Sequence, residues 1–424
     1  MNTNGICLAC FQNTGGLNPC PHCGADAAHI QASPQHLTPG TILNKNYLIG
    51  KALGQGGFGI TYIAWDLNMW RVVAVKEYYP SGLVTRERGL FVTPVDDNAR
   101  AKLKKGVNLF FKEALILGNF SVHPNIVNVL HFFRQNNTAY IVMEYIRGKS
   151  LKDYLQSRGG SISFTETMQI LCPIMNALDD LHHTGLLHRD IAPDNIYLTV
   201  DGHPKLLDFG AARFSFGDET QNAASIIKPG YAPLEQYSGS GIEQGSWTDV
   251  YAMGATFYRA LTGKVPISAA DRAMGRPLQS PKELGAALPD AADKAIMHAM
   301  NMKPEERYVS IRSFEQDIEK AAADEKKAAS PVSSAGQPIS SNQYNFPVWP
   351  PQQVPGFGQF PGQQIPWPPQ SPSGAPQPFS SPYTPAARQK TASSGGNTGF
   401  FKWAYKKIRK KFRKMLKQFS GKKR

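Results

Sequence analysis

Two groups of residues in this sequence have the types and spacing to do chemistry. The first begins at Gly54-Gln55-Gly56-Gly57-Phe58-Gly59, set between two strand-like runs. Glycines so spaced let a hairpin turn close over phosphates and present backbone N–H groups to them. Taken alone, the pattern is equally that of a plain glycine-rich turn. The next strand-like run holds Val73-Ala74-Val75-Lys76, which puts an ammonium within reach of such phosphates. Glu113 follows on an amphipathic helix, where it can pair with Lys76. Then come His188-Arg189-Asp190, Asn195 and Asp208-Phe209-Gly210.

The second group is Cys7-x-x-Cys10 and Cys20-Pro-His-Cys23, two thiol pairs nine residues apart. Four thiolates at this spacing make a tetrahedral sulfur site, for which Zn²⁺ is the usual occupant in a reducing compartment. An iron site and a pair of redox-active dithiols are the competing readings. A closed site of four cysteines has no open position for catalysis, so its role is structural or docking. His22 and His29 are bystanders in this reading.

The surrounding composition says what must position these groups. From Gly40 to about Ala322 the apolar pattern is strand-like first (YLIGKALG, GITYIAWD, WRVVAVKEYY). It then turns helical, as in FFKEALILGNF, ETMQILCPIMNALDDLHH and DVYAMGATFYRALTG. Strands before helices predict an α+β arrangement, with a small β-rich lobe and a larger helical one. Residues 1–30 are too short to fold without a staple, which the cysteines supply. Residues 31–39 read as a linker. From 323 to 399 the chain is rich in Pro, Gln, Ser and Gly, with scattered aromatics such as Trp349, Phe357 and Trp367. Such a segment buries too little to offset its ordering entropy and is expected to be disordered.

In their order, the glycine-rich turn, Lys76, Glu113, Asp190, Asn195 and Asp208 resemble the protein-kinase signature set over about 280 residues. Ala232-Pro233-Leu234-Glu235 is similar to the family's A-P-E with one residue added. Asp249 in TDVYAMG matches the aspartate opening its central large-lobe helix, and Arg307 in PEERY matches the arginine that pairs with the A-P-E glutamate. The strings VAVKEYYPSG, HRDIAPDN and KPGYAPLEQY resemble a bacterial branch of eukaryotic-like Ser/Thr kinases, here with an N-terminal segment similar to a zinc ribbon.

The resemblance implies a bilobal kinase fold, with the small lobe at 40–146 and the large lobe at 147–322. It implies transfer of the ATP γ-phosphoryl group to protein hydroxyls, the expected acceptors being protein substrates and the chain itself. Such transfer needs in-line positioning and charge neutralisation more than covalent help. Asp208 and Asn195 would supply hard oxygen ligands for Mg²⁺ or Mn²⁺. Asp190 would accept the proton of the incoming hydroxyl. Lys76 would fix the α/β-phosphates, and Glu113 would fix Lys76. Met143 falls at the gatekeeper position, and Glu144 and Ile146 at the hinge that offers backbone groups to adenine. Ala74 and Thr61 fall on the adenine roof, Thr61 replacing the usual Val. Leu117, Val129, His188 and Phe209 correspond to the regulatory spine. Arg189 implies a response to phosphate on the activation segment, with Thr220 and Ser225 favoured over Ser215.

Two departures stand out. Ser/Thr kinases usually carry a lysine two residues after the catalytic aspartate, and this chain has Ala192. In the substrate-binding loop the usual Thr or Ser is replaced by Lys228, which is expected to supply the missing cation from the activation segment. A solvated loop lysine is the plain alternative. The stretch PSGLVTRERGLFVTPVDDNARAK also lengthens the path from Lys76 to Glu113 and reads as an inserted loop.

The net charge of +14 belongs to one end. Residues 400–424 hold twelve Lys/Arg and no acid, leaving 34 basic against 32 acidic residues elsewhere. There Phe401, Tyr405, Ile408, Phe412, Met415 and Phe419 make one apolar stripe of a basic amphipathic helix. An anionic membrane surface is the expected partner, with nucleic acid second. The start MNTNGICLAC has no basic or apolar leader, and no run of 18 apolar residues occurs, so a cytoplasmic protein is expected. Besides an active kinase, the sequence admits a weak pseudokinase scaffold, argued by Ala192, and a nucleic-acid-associated regulator.

Overall fold

The computed structural model describes residues 5–30, 33–120, 123–208, 227–237 and 240–329. Expectations for Phe209, Gly210, Ser215, Thr220 and Ser225, for the Pro-rich segment from 330 and for the helix at 400–424 fall outside the described residues.

The small lobe is built on β1 (Ile42–Leu43), β2 (Tyr47–Gln55), β3 (Gly59–Asp66), β4 (Arg71–Tyr78), β7 (Val129–Gln135) and β8 (Thr138–Glu144). They form one antiparallel sheet in the order β1-β2-β3-β4-β8-β7. A sheet with one wet face alternates buried and exposed residues, but Tyr47–Gly50 and Thr138–Met143 are buried in unbroken succession. Both faces are covered. Helix α1 (Asp97–Leu117) packs on β4, β7 and β8. On β2 and β3, Leu8 and Phe11 of the N-terminal segment pack with Leu48, Ile63 and Trp65.

The stretch between β4 and α1 is a hairpin and a helix start rather than a loop. Strand β5 (Val84–Glu87) pairs antiparallel with β6 (Phe91–Pro94), and Asp96 caps α1 by accepting the Ala99 N–H at 2.6 Å. Arg86 fixes this hairpin through a fully buried ion pair with Glu77, Nη2–Oε2 2.5 Å and Nη1–Oε1 3.1 Å. Tyr62 and Tyr140 donate to the same carboxylate at 3.0 and 2.8 Å. Burial beside Glu77 pushes both phenols well above their usual range, so they serve as donors. Two four-residue strands held by a buried ion pair leave almost no alternation pattern to read.

The large lobe opens with β9 (Gly148–Ser150), which joins β10 (Ile196–Thr199) and β11 (Pro204–Leu206) in a small sheet of order β11-β10-β9. Its helices are α2 (Leu151–Ser157), α3 (Phe164–His183), α4 (Ser246–Thr262), α5 (Ala269–Ala273), α6 (Asp290–Ala299) and α7 (Ile311–Ala329). Helix α4 is buried almost all round and contacts α3, α6 and α7, as a central helix must be. Helix α7 runs on to Ala329, past the composition break at 322. Among the described residues no helix is long and apolar enough to cross a membrane.

Candidate active site

Between the lobes lies a cavity of about 630 Å³. Its roof is the turn joining β2 to β3, with Gly54, Gln55, Gly56, Gly57, Phe58 and Gly59, followed by Thr61. Gly59 is required by a close approach, because a Cβ there would stand 2.6 Å from the Glu77 carbonyl oxygen. Ala74 and Lys76 line the cavity from β4, and Met143, Glu144 and Ile146 from the end of β8 and the strand-free link after it. The sheet register puts Ala74 opposite Met143 and Thr61 opposite Lys76. The Glu144 N–H is given to the Asn128 carbonyl at 3.0 Å, and its carboxylate accepts from Lys205 Nζ at 2.7 Å. From the large lobe come Asp190, Asn195, Asp208 and Lys228. Leu53, Phe110, Val127, Tyr145 and Leu207 also line the cavity and were not anticipated. Tyr145 was legible in principle, since it stands between two hinge residues already chosen.

The expected Lys76–Glu113 pair is not formed. Lys76 Nζ donates to Asp208 Oδ1 at 2.8 Å instead. Strand β4 aims Lys76 into the cavity, where Asp208 arrives from the loop after β11, while Glu113 on α1 is 3% exposed and does not line the cavity. Sequence periodicity places Glu113 on the correct helix, but the helix's rotation relative to β4 is set by packing alone.

The loop carrying Asp190 is hung on Asp249. The Asp249 carboxylate accepts the His188 N–H at 2.8 Å, the Arg189 N–H at 2.7 Å and a contact from His182 Nε2 at 2.7 Å. Burial alone would raise this carboxyl, but those donors hold it below the usual range, so it is a fixed anion at the head of α4. The anchorage supports Arg189 in the left-handed region, φ 65°. His188 is buried, and burial drives its pKa down, so it stays neutral; it contacts the Leu207 carbonyl through Nε2 at 2.9 Å. Leu117 and Val129 are buried as the expected spine requires, and Phe209 lies outside the described residues.

Asn195 spends its amide nitrogen on Asp190, donating to the main-chain oxygen and to Oδ2, each at 2.6 Å. Its amide oxygen is therefore the end available as a hard ligand beside Asp208. Lys228 Nζ stands 3.4 Å from the same Asp190 Oδ2. This lysine is placed by a tight turn: its carbonyl accepts the N–H groups of Tyr231 and Ala232 at 3.1 and 3.0 Å. Gly230, at φ 89°, lets that turn press against the Pro266 carbonyl. A few residues on, Glu235 is clamped by Arg307, Nη1–Oε1 2.6 Å and Nη2–Oε2 3.1 Å, with both side chains wholly buried.

At the other end, the four cysteines come together. Their sulfurs all lie within 4.8 Å of one another, with Cys7–Cys23 at 3.7 Å and Cys10–Cys20 at 3.8 Å. A tetrahedron with metal–sulfur bonds of ~2.3 Å has edges of about 3.8 Å, so the donor set fits. The Ala9 N–H points at Cys7 Sγ at 3.3 Å. Burial works to raise the Cys20 thiol, but the N–H groups of Cys23 and His22 bring it down to about 7.

This geometry is that of a bilobal phosphoryl-transfer cleft, and the comparisons agree. The protein kinase domain family matches residues 47–309, more than half of the chain. The chain belongs to the protein kinase family. Members of this family use ATP with Mg²⁺ or Mn²⁺. This kinase chain is 30% identical over 292 residues to a probable serine/threonine-protein kinase of Clostridium perfringens, covering 67% of this chain and 39% of that one. Against serine/threonine-protein kinase D of Synechocystis sp. the identity is 31% over 281 residues, covering 64% and 51% respectively. The chain thus spans between 39% and 51% of the length of these relatives, which are bacterial Ser/Thr kinases by name. Among solved structures, the apo form of PpkA-294 is similar at 34% identity and a TM-score of 0.60, covering 67% of this chain and 99% of that one. The kinase domain of Mycobacterium tuberculosis PknI, at 24% identity and a TM-score of 0.51, shares the fold.

Proposed function

We propose that this protein is an active Ser/Thr kinase that moves the γ-phosphoryl group of ATP to protein hydroxyls. The observation that carries the reading is that Lys76, Asp190, Asn195 and Asp208 line one cavity beneath the glycine-rich hairpin. The hairpin N–H groups and Lys76 are the donors for phosphate oxygens, and Ala74, Thr61, Met143, Glu144 and Ile146 form the base-binding wall. Asp208 and Asn195 would hold Mg²⁺ or Mn²⁺, which when bound neutralises charge between the phosphates. Holding it requires Lys76 to leave Asp208, and Glu113 of α1 is proposed to receive the ammonium. Asp190 orients the acceptor hydroxyl and takes its proton as the oxygen–phosphorus bond forms and the bond to the ADP oxygen breaks. Lys228, across Asp190, supplies the cation that Ala192 lacks.

The test is incubation of the whole protein with labelled ATP and Mg²⁺, followed by mapping of the modified residues. Label on Ser or Thr, lost in Asp208→Ala, is expected, with Thr220 and Ser225 as proposed self-modification sites. Equal labelling of wild type and variant would sink the reading.

The four cysteines are proposed to hold Zn²⁺, and residues 400–424 to bind an anionic membrane surface. In liposome pelleting, the whole chain should sediment with anionic vesicles and a chain ending at 399 should not. Retention on duplex DNA without vesicle binding would favour the nucleic-acid reading instead.

A further inference from the structure

The two cysteine pairs are built as knuckles of the same design, with one difference. The second pair is followed by Gly24 at φ 70°, and the first by Phe11 at φ 58°. A bulky residue in the left-handed region is strained, and glycine is the residue that relieves it. The strain at Phe11 is retained for its side chain, which is 7% exposed among Leu48, Ile63 and Trp65 on the outer face of the small-lobe sheet. The socket is made by a missing side chain: a Cβ on Gly50 would stand 2.2 Å from the Leu8 carbonyl oxygen and 3.0 Å from Phe11.

Beneath this contact the β2–β3 register breaks between Ile49 and Ala52. A bulge leaves a strand N–H without its ladder partner, and here the Lys51 N–H is given to the Leu8 carbonyl at 2.9 Å. The ribbon therefore completes the strand that leads into the glycine-rich turn. The same apolar cluster includes Tyr145, a wall of the nucleotide cavity.

A second link runs through residues 33–38. Gln55, inside the glycine-rich turn, donates to Gln35 Oε1 at 2.7 Å and contacts His36 Nε2 at 3.0 Å through its own Oε1. That strap is tied down from behind, with Arg86 Nε on the Gln35 carbonyl at 2.5 Å and the Leu37 N–H on the Tyr62 hydroxyl at 3.0 Å. The ribbon and the strap thus grip both the root and the tip of the phosphate-binding hairpin.

We propose that the metal-holding ribbon, anchored by Phe11, and the strap at Gln35 and His36 act as a brace that positions the glycine-rich turn, coupling nucleotide affinity to ribbon docking. The proposal rests on the nucleotide reading of the cleft and on metal in the four-cysteine site. Phe11, Gln35 and His36 are positioning residues, since none lines the cavity. Linkage is reciprocal, so bound nucleotide must tighten the ribbon's hold on its metal.

The test uses the full chain with the metal that it carries on purification, quantified by elemental analysis. Phe11→Gly relaxes the knuckle and removes the anchor, and Gly50→Ala fills the socket; neither residue is a sulfur ligand or lines the cavity. In the double variant, the metal content should be unchanged and the Lys51 amide should exchange freely with deuterium. Calorimetric titration with the Mg²⁺ complex of a non-hydrolysable ATP analogue should show affinity weakened by about fivefold or more. Release of metal to a chelating dye, slowed by the analogue in wild type, should become indifferent to it. Wild-type affinity in the double variant overturns the proposal, and so does a Lys51 amide that remains protected. Ribbon-dependent binding without any phosphoryl transfer by wild type would instead defeat the kinase reading and leave the brace standing.

Discussion

Lys228→Met is expected to lower the turnover number by about 100-fold, with the KM for ATP changed little. The ammonium stands 3.4 Å from Asp190 Oδ2 in a site where Asp190 is almost fully buried. A cation so placed acts on charge that develops as the phosphoryl group moves, and its effect therefore falls on the chemical step. Removal of one such preorganised donor typically costs 10²–10³ in rate. Lys228→Arg keeps the charge and should retain most of the activity, while Asp190→Ala should abolish it. Steady-state kinetics with a generic protein substrate decides the matter, and a methionine variant turning over like wild type would reduce Lys228 to a loop lysine. A positive result makes catalysis depend on the order of the segment that delivers the lysine, rather than on the catalytic loop alone.

The second large effect is on stability. Arg307→Met should destabilise the protein by about 3–5 kcal/mol, because it strands the Glu235 carboxylate without its counter-charge in the interior. The pair is bidentate, both side chains are fully buried, and Thr248 adds a hydroxyl to Glu235 Oε1 at 3.0 Å. Arg307 also ties down three carbonyls, those of Asn301, Met302 and Trp247. Urea denaturation should show the loss as a lower midpoint, with Glu235→Gln/Arg307→Met recovering part of it. A midpoint within experimental error of wild type for the single variant would mean that solvent reaches the pair. Since Glu235 lies seven residues beyond Lys228, the same variant should also slow turnover by loosening the segment that carries the lysine.

What could be read in advance follows the range of the forces involved. The cavity residues from Gly54 to Asp208 were legible because phosphate chemistry restricts residue types at each step, and their order along the chain is informative without coordinates. The Glu235–Arg307 pair was legible only by resemblance, as two matched positions 72 residues apart. The Lys76–Asp208 contact was not legible, because periodicity places Glu113 on α1 without fixing where α1 stands against β4. The β5–β6 hairpin was missed because its stability comes from Arg86 meeting Glu77 in the interior, a side-chain pairing that alternation within two four-residue strands does not signal. Ribbon docking had one visible signal, the phenylalanine after Cys10 where the matching position after Cys23 is glycine. Its meaning required Gly50 to be seen beneath it.

That pairing of Phe11 with Gly50 has an evolutionary side. The two positions, 39 residues apart in the sequence, are expected to vary as one character, because the ring packs over the side chain that Gly50 lacks. A lineage that sheds its four cysteines is released from glycine at the second position, and a β-branched strand former becomes the better choice there. A lineage that keeps them is expected to change the two residues together. Aligned kinase sequences should therefore sort into two groups at this strand position, according to whether the cysteine pairs precede it.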